Sequence, residues 1–144
     1  MKVLAIDTST NHGGVALLDN DRVLLDEACI SERRHGSLLV PLIERALALA
    51  PKPDCIAVGL GPGSYAGVRI AIATAMGLAM ATGARLVGIP SVAAWECEAE
   101  HHLAIGDARR GTFYFTKVEG GICTEGPLLT DAPGLLARIA ALPT

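Results

Sequence analysis

The chain has 144 residues, 51% hydrophobic and only 3% aromatic, and carries a formal charge of −3 at neutral pH. That length holds one domain, or one domain and a fragment of a second, built on an aliphatic core. The acidic balance argues against an isolated nucleic-acid binder, which needs a basic excess to meet phosphates, so any role in RNA chemistry is expected to run through a partner.

Lys2 to Ile6 reads as a short buried strand that ends in the polar cluster Asp7-Thr8-Ser9-Thr10. Val15 to Leu18 and Arg22 to Cys29 follow as strands, joined by an Asp19-Asn20-Asp21 turn whose residues tolerate left-handed backbone angles. Three strands linked by tight turns make an antiparallel meander. The pattern then changes. Ser37 to Ala50 predicts a helix with Ser37 as candidate N-cap, and Pro41 requires either an irregular first turn or a start nearer the proline. Cys55 to Leu60 is a strand, Gly61 to Ala66 a glycine-rich loop, Gly67 to Thr82 a helix and Leu86 to Ile89 a strand. Ser91 is expected to cap a further helix running to about His101. Strands separated by helices imply parallel crossovers. The result is an α/β domain of order β-β-β-α-β-α-β-α over residues 1–102, with a mixed sheet.

The order then restarts. Leu103-Ala104-Ile105-Gly106-Asp107 echoes Leu4-Ala5-Ile6-Asp7, Gly111 to Glu119 follows as a strand, and Gly120-Gly121 takes the place of the earlier turn. A short helix, about Pro133 to Leu142, closes what reads as an incomplete second copy over residues 103–144.

Three strings carry a resemblance. Ala5-Ile6-Asp7-Thr8-Ser9-Thr10 resembles the opening phosphate loop of the actin, hexokinase and Hsp70 superfamily. Gly61-Pro62-Gly63-Ser64-Tyr65-Ala66-Gly67-Val68-Arg69 is similar to the G-P-G-S-[FY]-T-G-[LV]-R signature of the TsaB family, with Ala66 where that family usually has Thr. Asp107-Ala108-Arg109-Arg110-Gly111 resembles the D-A-R-x-G that opens the family's second domain. The resemblance implies an actin-like, ribonuclease H-like fold. It also implies a truncated or short-form, non-catalytic partner of TsaD in threonylcarbamoyladenosine modification of tRNA, with an ATPase, TsaE, joining them. A small nucleotide-binding or ATP-hydrolysing enzyme of the same superfamily is the alternative.

The candidate phosphate loop is Asp7, Thr8 and Ser9, with Asp107 as its counterpart in the second copy. In nucleotide-binding relatives such a loop cradles phosphate; here it also reads as a polar turn, and ATP is expected to bind weakly or not at all. The glycine loop of Gly61, Gly63, Ser64, Gly67 and Arg69 follows the fourth strand and lacks the acidic ribose ligand of a dinucleotide site. It is either a tight turn or a turn that also meets an anion at a helix start. No metal is expected: His12, His35, His101 and His102 include no pair four apart, and neither H-E-x-x-H nor G-x-S-x-G occurs. No residue is assigned a catalytic role.

Four cysteines, Cys29, Cys55, Cys97 and Cys123, form no C-x-x-C and read as reduced, buried thiols. The apolar start stops at Asp7, too soon for a signal peptide. The longest apolar stretch, Ile70 to Ala81, falls short of the ~18 residues of a membrane span. A soluble, cytoplasmic protein with no membrane contact is expected. The helices nonetheless carry more apolar surface than one sheet can cover, and the small residues Gly67, Ala71, Ala75 and Ala79 form a ridge that another backbone could approach. A partner interface is expected at Leu39, Ile43, Leu47, Ile72, Met76 and Met80, used by TsaD or, in its absence, by a second copy in a two-fold homodimer.

Overall fold

In the computed structural model, which describes residues 1–30 and 35–141, the meander forms as expected. Its strands are β1 (Lys2–Asp7), β2 (His12–Asp19) and β3 (Arg22–Ile30), and Asn20 takes the positive φ of the turn between β2 and β3. Helix α1 (His35–Leu49) keeps Pro41 inside it and starts two residues before Ser37, the expected start. Strand β4 (Cys55–Gly59) is buried along its whole length. It pairs in parallel with β1 on one side and with β5 (Arg85–Ile89) on the other, which explains a run with no outward polar positions. Helix α2 (Tyr65–Thr82) connects β4 to β5, starts at the N-cap Ser64 and stops at Gly83, whose φ is 76°. The sheet order is β3-β2-β1-β4-β5. A meander continued by parallel crossovers is the actin-like arrangement that the resemblance implied.

Both helices lie on one face of this sheet. Leu4 and Ile6 stand opposite Leu17 and Val15 and opposite Ile56 and Val58. Leu39, Ile43, Ala46 and Ala50 of the α1 region, with Ala71 and Ala75 of α2, close over them. This corrects two expectations. Leu39 and Ile43, expected at a partner interface, are 1% and 5% exposed and belong to the core, because the wide apolar arc of α1 is centred on the sheet. The ridge expected to admit a partner also faces inward: Gly67, Ala71 and Ala75 are the buried residues of α2. Leu47 and Ile72 are half-buried against the core, while Met76 and Met80 point outward at 50% and 86% exposure. At 18 residues α2 is long and apolar enough to cross a membrane by length and composition, longer than the stretch Ile70 to Ala81 suggested.

After β5 the expected helix is missing. Ser91–Ala94 makes one 3-10 turn, and no helix continues from it. Glu96, Glu98 and Glu100 crowd like charges together, and Glu96 and Glu100, four apart, would repel on one helix face. The chain separates into two compact units, Met1–Ser91 and Val92–Thr144, and not between His102 and Leu103. Val92 already belongs to the second unit, buried with Ala104 and Val118.

The second unit is an antiparallel sheet of order β6-β7-β8, made of β6 (His101–Arg109), β7 (Thr112–Glu119) and β8 (Ile122–Asp131), followed by α3 (Ala132–Ala140). The expected helix end at Leu142 lies outside the described residues. Asp131 caps α3 by accepting from the Gly134 amide at 2.9 Å. Arg138 pairs with Glu125 at 2.9 Å, and its guanidinium lies 5.8 Å from the Phe115 ring centroid. Of the described cysteines, Cys55 is buried, Cys123 half-buried and Cys97 exposed. Cys97 departs from the expectation because it sits in the polar segment that failed to become a helix; the Cys29 side chain lies outside the description. Burial pushes the Cys123 thiol up from its ordinary value.

The core assignment of α1 is directly testable. Leu39→Ala should cost about 2–5 kcal/mol of unfolding free energy, whereas Val40→Ala, at a position 54% exposed, should change it by no more than about 0.5 kcal/mol. Urea unfolding of the two variants measures the contrast.

Candidate functional site

Two loops meet where β1 and β4 end. Asp7 closes β1, and its Oδ1 accepts from the Ser9 amide at 2.6 Å, so the carboxylate folds its own turn. Thr8 and Ser9 are 0% and 2% exposed. The Thr8 hydroxyl donates to the Gly67 carbonyl at 2.7 Å. The Ser9 carbonyl accepts from the Ser64 amide at 2.6 Å. The candidate phosphate loop and the glycine loop therefore grip each other. Ser64 then caps α2, its hydroxyl accepting from the Gly67 amide at 3.3 Å.

The glycines are dictated by this grip. A Cβ on Gly67 would overlap the Thr8 carbonyl oxygen, and one on Gly63 would overlap the Ser9 carbonyl oxygen. Gly61 has a φ of 80°, a left-handed value that a side chain would strain. Of the two readings left open for this loop, the tight turn accounts for every glycine in it.

Two participants were missed in the sequence. Gly59 leaves room for the Asp7 carboxylate, whose Oδ2 a Cβ there would overlap. Ser91, read as a helix cap, exchanges bonds with Gly61: its hydroxyl accepts from the Gly61 amide at 2.9 Å, and its amide donates to the Gly61 carbonyl at 2.8 Å. The signal available was Pro90, which prevents β5 from continuing and leaves the next residue to turn back.

The remaining site residues stand apart. Arg69 leaves the loop: its guanidinium donates to the Tyr65 hydroxyl at 3.1 Å and lies 5.2 Å from that ring's centroid. Asp107 belongs to the second unit, where its Oδ1 accepts from the Arg109 amide at 2.6 Å. Arg109 and Arg110 follow with φ values of 70° and 54°. Within the loop, the Ser9 amide and the Thr8 hydroxyl are committed to Asp7 and Gly67.

The grip predicts a specific intolerance. Gly67→Ala should destabilise the first unit by roughly 1–3 kcal/mol through overpacking against β1, while Gly77→Ala, where an added Cβ meets nothing within 4 Å, should be neutral or stabilising by up to about 1 kcal/mol. Thermal unfolding followed by circular dichroism distinguishes them.

Comparison with known proteins finds relatives of one family. A family model described as TsaD, tRNA N6-adenosine threonylcarbamoyltransferase, matches residues 29–136. The tRNA threonylcarbamoyladenosine biosynthesis protein TsaB of Haemophilus influenzae is 34% identical over 82% of this chain and 54% of its own length. TsaB of Escherichia coli K12 is 33% identical over 83% of this chain and 55% of its own length. The solved structure of YeaZ from Pseudomonas aeruginosa superposes with a TM-score of 0.76 at 32% identity, over 90% of this chain and 66% of that one. The chain spans about half the length of the curated TsaB relatives it matches. It belongs to the family that the TsaD model describes, and within that family it is a TsaB-like protein.

Proposed function

We propose that this chain is a non-catalytic subunit in the making of threonylcarbamoyladenosine on tRNA, and that it works by docking a TsaD-family protein on helices α1 and α2. The observation that carries the reading is the outer face of α2. Tyr65, Met76 and Met80 are 77%, 50% and 86% exposed. Val40 and Leu38 of α1 add further exposed apolar surface. Large apolar side chains gathered on one helix face mark an interaction surface more often than a solvated one, and methionine adapts well to a partner. The interface so drawn uses Leu47, Ile72, Met76 and Met80, and omits Leu39 and Ile43. When the partner is absent, a second copy covers the same patch in a two-fold homodimer; a TsaE-like ATPase joins the assembled pair.

The same reading gives the chain no nucleotide or metal of its own, because the Ser9 amide and the Thr8 hydroxyl are already bonded within the protein. It places the protein in the cytoplasm and reaches tRNA only through the partner, consistent with a charge of −3. It also treats the second unit as a partial copy of the first. Two observations support that: each unit opens with an antiparallel meander, and Asp7 and Asp107 each fold a turn by accepting from the amide two residues on, both at 2.6 Å.

Size-exclusion chromatography with a purified TsaD-family protein tests the docking. The wild-type chain should co-elute with it, and Met76→Asp with Met80→Asp should abolish the complex, since burying unpaired carboxylates costs about 3 kcal/mol or more, while the circular dichroism spectrum stays unchanged. Separate elution of the wild-type proteins at tens of micromolar would refute the reading. Calorimetry with ATP and magnesium should show a dissociation constant no tighter than about 1 mM; low-micromolar binding that Asp7→Ala abolishes without unfolding would overturn the nucleotide-free role.

A further inference from the structure

At ~100° per residue, Tyr65, Arg69, Ile72, Met76 and Met80 fall within about 80° of one another around α2. They form one stripe along the helix, opposite the buried Gly67, Ala71 and Ala75. The stripe is apolar except at its N-terminal end, where Arg69 is held by the Tyr65 hydroxyl at 3.1 Å and stacks on the ring at 5.2 Å from its centroid. Tyr65 is 77% exposed, so the pair stands outside the fold. Among the described residues no carboxylate lies within ion-pair distance of Arg69, and α2 itself contains none.

We propose that the Tyr65–Arg69 pair is the polar anchor of the α2 docking stripe, and that the protein partner supplies a carboxylate to it. This deepens the docking role proposed above and rests on it. Burial of the stripe would take a guanidinium without an ion partner among the described residues out of water, and that cost subtracts from the gain of the methionines unless the partner brings an anion. Stacking and the phenol bond have already fixed the Arg69 rotamer, so little side-chain entropy remains to be lost on docking. One N–H of the fork is occupied by Tyr65, and the others remain for a carboxylate. Charge complementarity also selects the occupant. A second copy of α2 offers no acid to Arg69, so the homodimer that covers the patch in the partner's absence lacks this contact and is the weaker assembly. A nucleic-acid backbone would find one cation on an apolar stripe of a chain whose net charge is −3, where phosphate contacts need several. An acidic residue at the edge of an apolar protein surface satisfies both halves of the stripe.

Calorimetric titration of the full chain with a purified TsaD-family protein tests this, using Arg69→Ala, Arg69→Lys, Arg69→Glu and, as a control for net charge, the exposed and distant Lys52→Ala. Arg69→Ala should weaken binding about 30-fold, Arg69→Lys should fall between it and wild type because the planar fork is lost, and Arg69→Glu should weaken it further still. Lys52→Ala should bind like wild type. The salt dependence of wild-type affinity should flatten in Arg69→Ala, and melting temperatures should not move, because both side chains of the pair are exposed. Wild-type binding with all Arg69 variants within twofold of it would overturn the anchor and leave the docking role standing. Absence of wild-type binding would overturn both. Binding of free tRNA by the wild-type chain alone that Arg69→Ala abolishes would reassign the pair to nucleic acid and overturn the protein carboxylate.

Discussion

The hydrogen bond from the Thr8 hydroxyl to the Gly67 carbonyl joins two segments whose placement the rest of the first unit inherits. Thr8 follows β1, the strand flanked by β2 on one side and β4 on the other. Gly67 lies in the first turn of α2, the helix that covers β4. A neutral hydrogen bond adds only about 1 kcal/mol net, but Thr8 is wholly buried, and an orphaned hydroxyl there would cost roughly 1–3 kcal/mol. The bond forms because Gly67 has no side chain to hold the segments apart, and Gly63 repeats the condition against Ser9. Two absent Cβ atoms thus set the height at which α2 begins. From that height follow the residues it lays on the sheet, Ala71 and Ala75, and those it turns outward, Met76 and Met80.

The meander, the parallel crossovers and the two long helices were legible because each rests on local rules: alternation, turn residues and apolar runs long enough to identify. What failed was non-local. The segment after Ser91 looked capped at its start, but Val92 is drawn into a core with Ala104 and Val118. Leu39 and Ile43 were placed outside because a wide apolar arc shows that surplus surface exists without showing which part is surplus; only packing on Leu17 and Val15 decides that. In the site, Gly61, Gly63, Ser64 and Gly67 were readable as a string, and so were Asp7 and Thr8 as another. That one string grips the other depends on the pairing of β1 with β4, which neither string encodes.

Both units hold a three-stranded antiparallel meander and an Asp-folded turn, and a helix follows each third strand. In the first unit Leu4 and Ile6 face α1, and Asp7 alternates to the opposite face. In the second unit Asp107 shares a face with Ile105, which stands opposite Phe115, and Phe115 is the residue over which α3 places Arg138. The extra residue Gly106 between Ile105 and Asp107 shifts the aspartate by one position, and so to the helix-covered face of its strand.

A loop that binds phosphate keeps its donors free until the ligand arrives, and exposes them when it is empty. In the Asp7–Ser9 loop the Ser9 amide bonds Asp7 and the Thr8 hydroxyl bonds Gly67, and the Thr8 and Ser9 carbonyls lie against Gly67 and Gly63 of the neighbouring loop. The string from Gly61 to Arg69 is consumed in the same way: Gly61 by Ser91, Gly63 by Ser9, Ser64 by the start of α2, Gly67 by Thr8. Two polar side chains in it are left unused by the fold, Tyr65 and Arg69, and these hold each other in solvent. A motif whose glycines satisfy the interior while its tyrosine and arginine stand outside has divided its residues between building a helix start and presenting one.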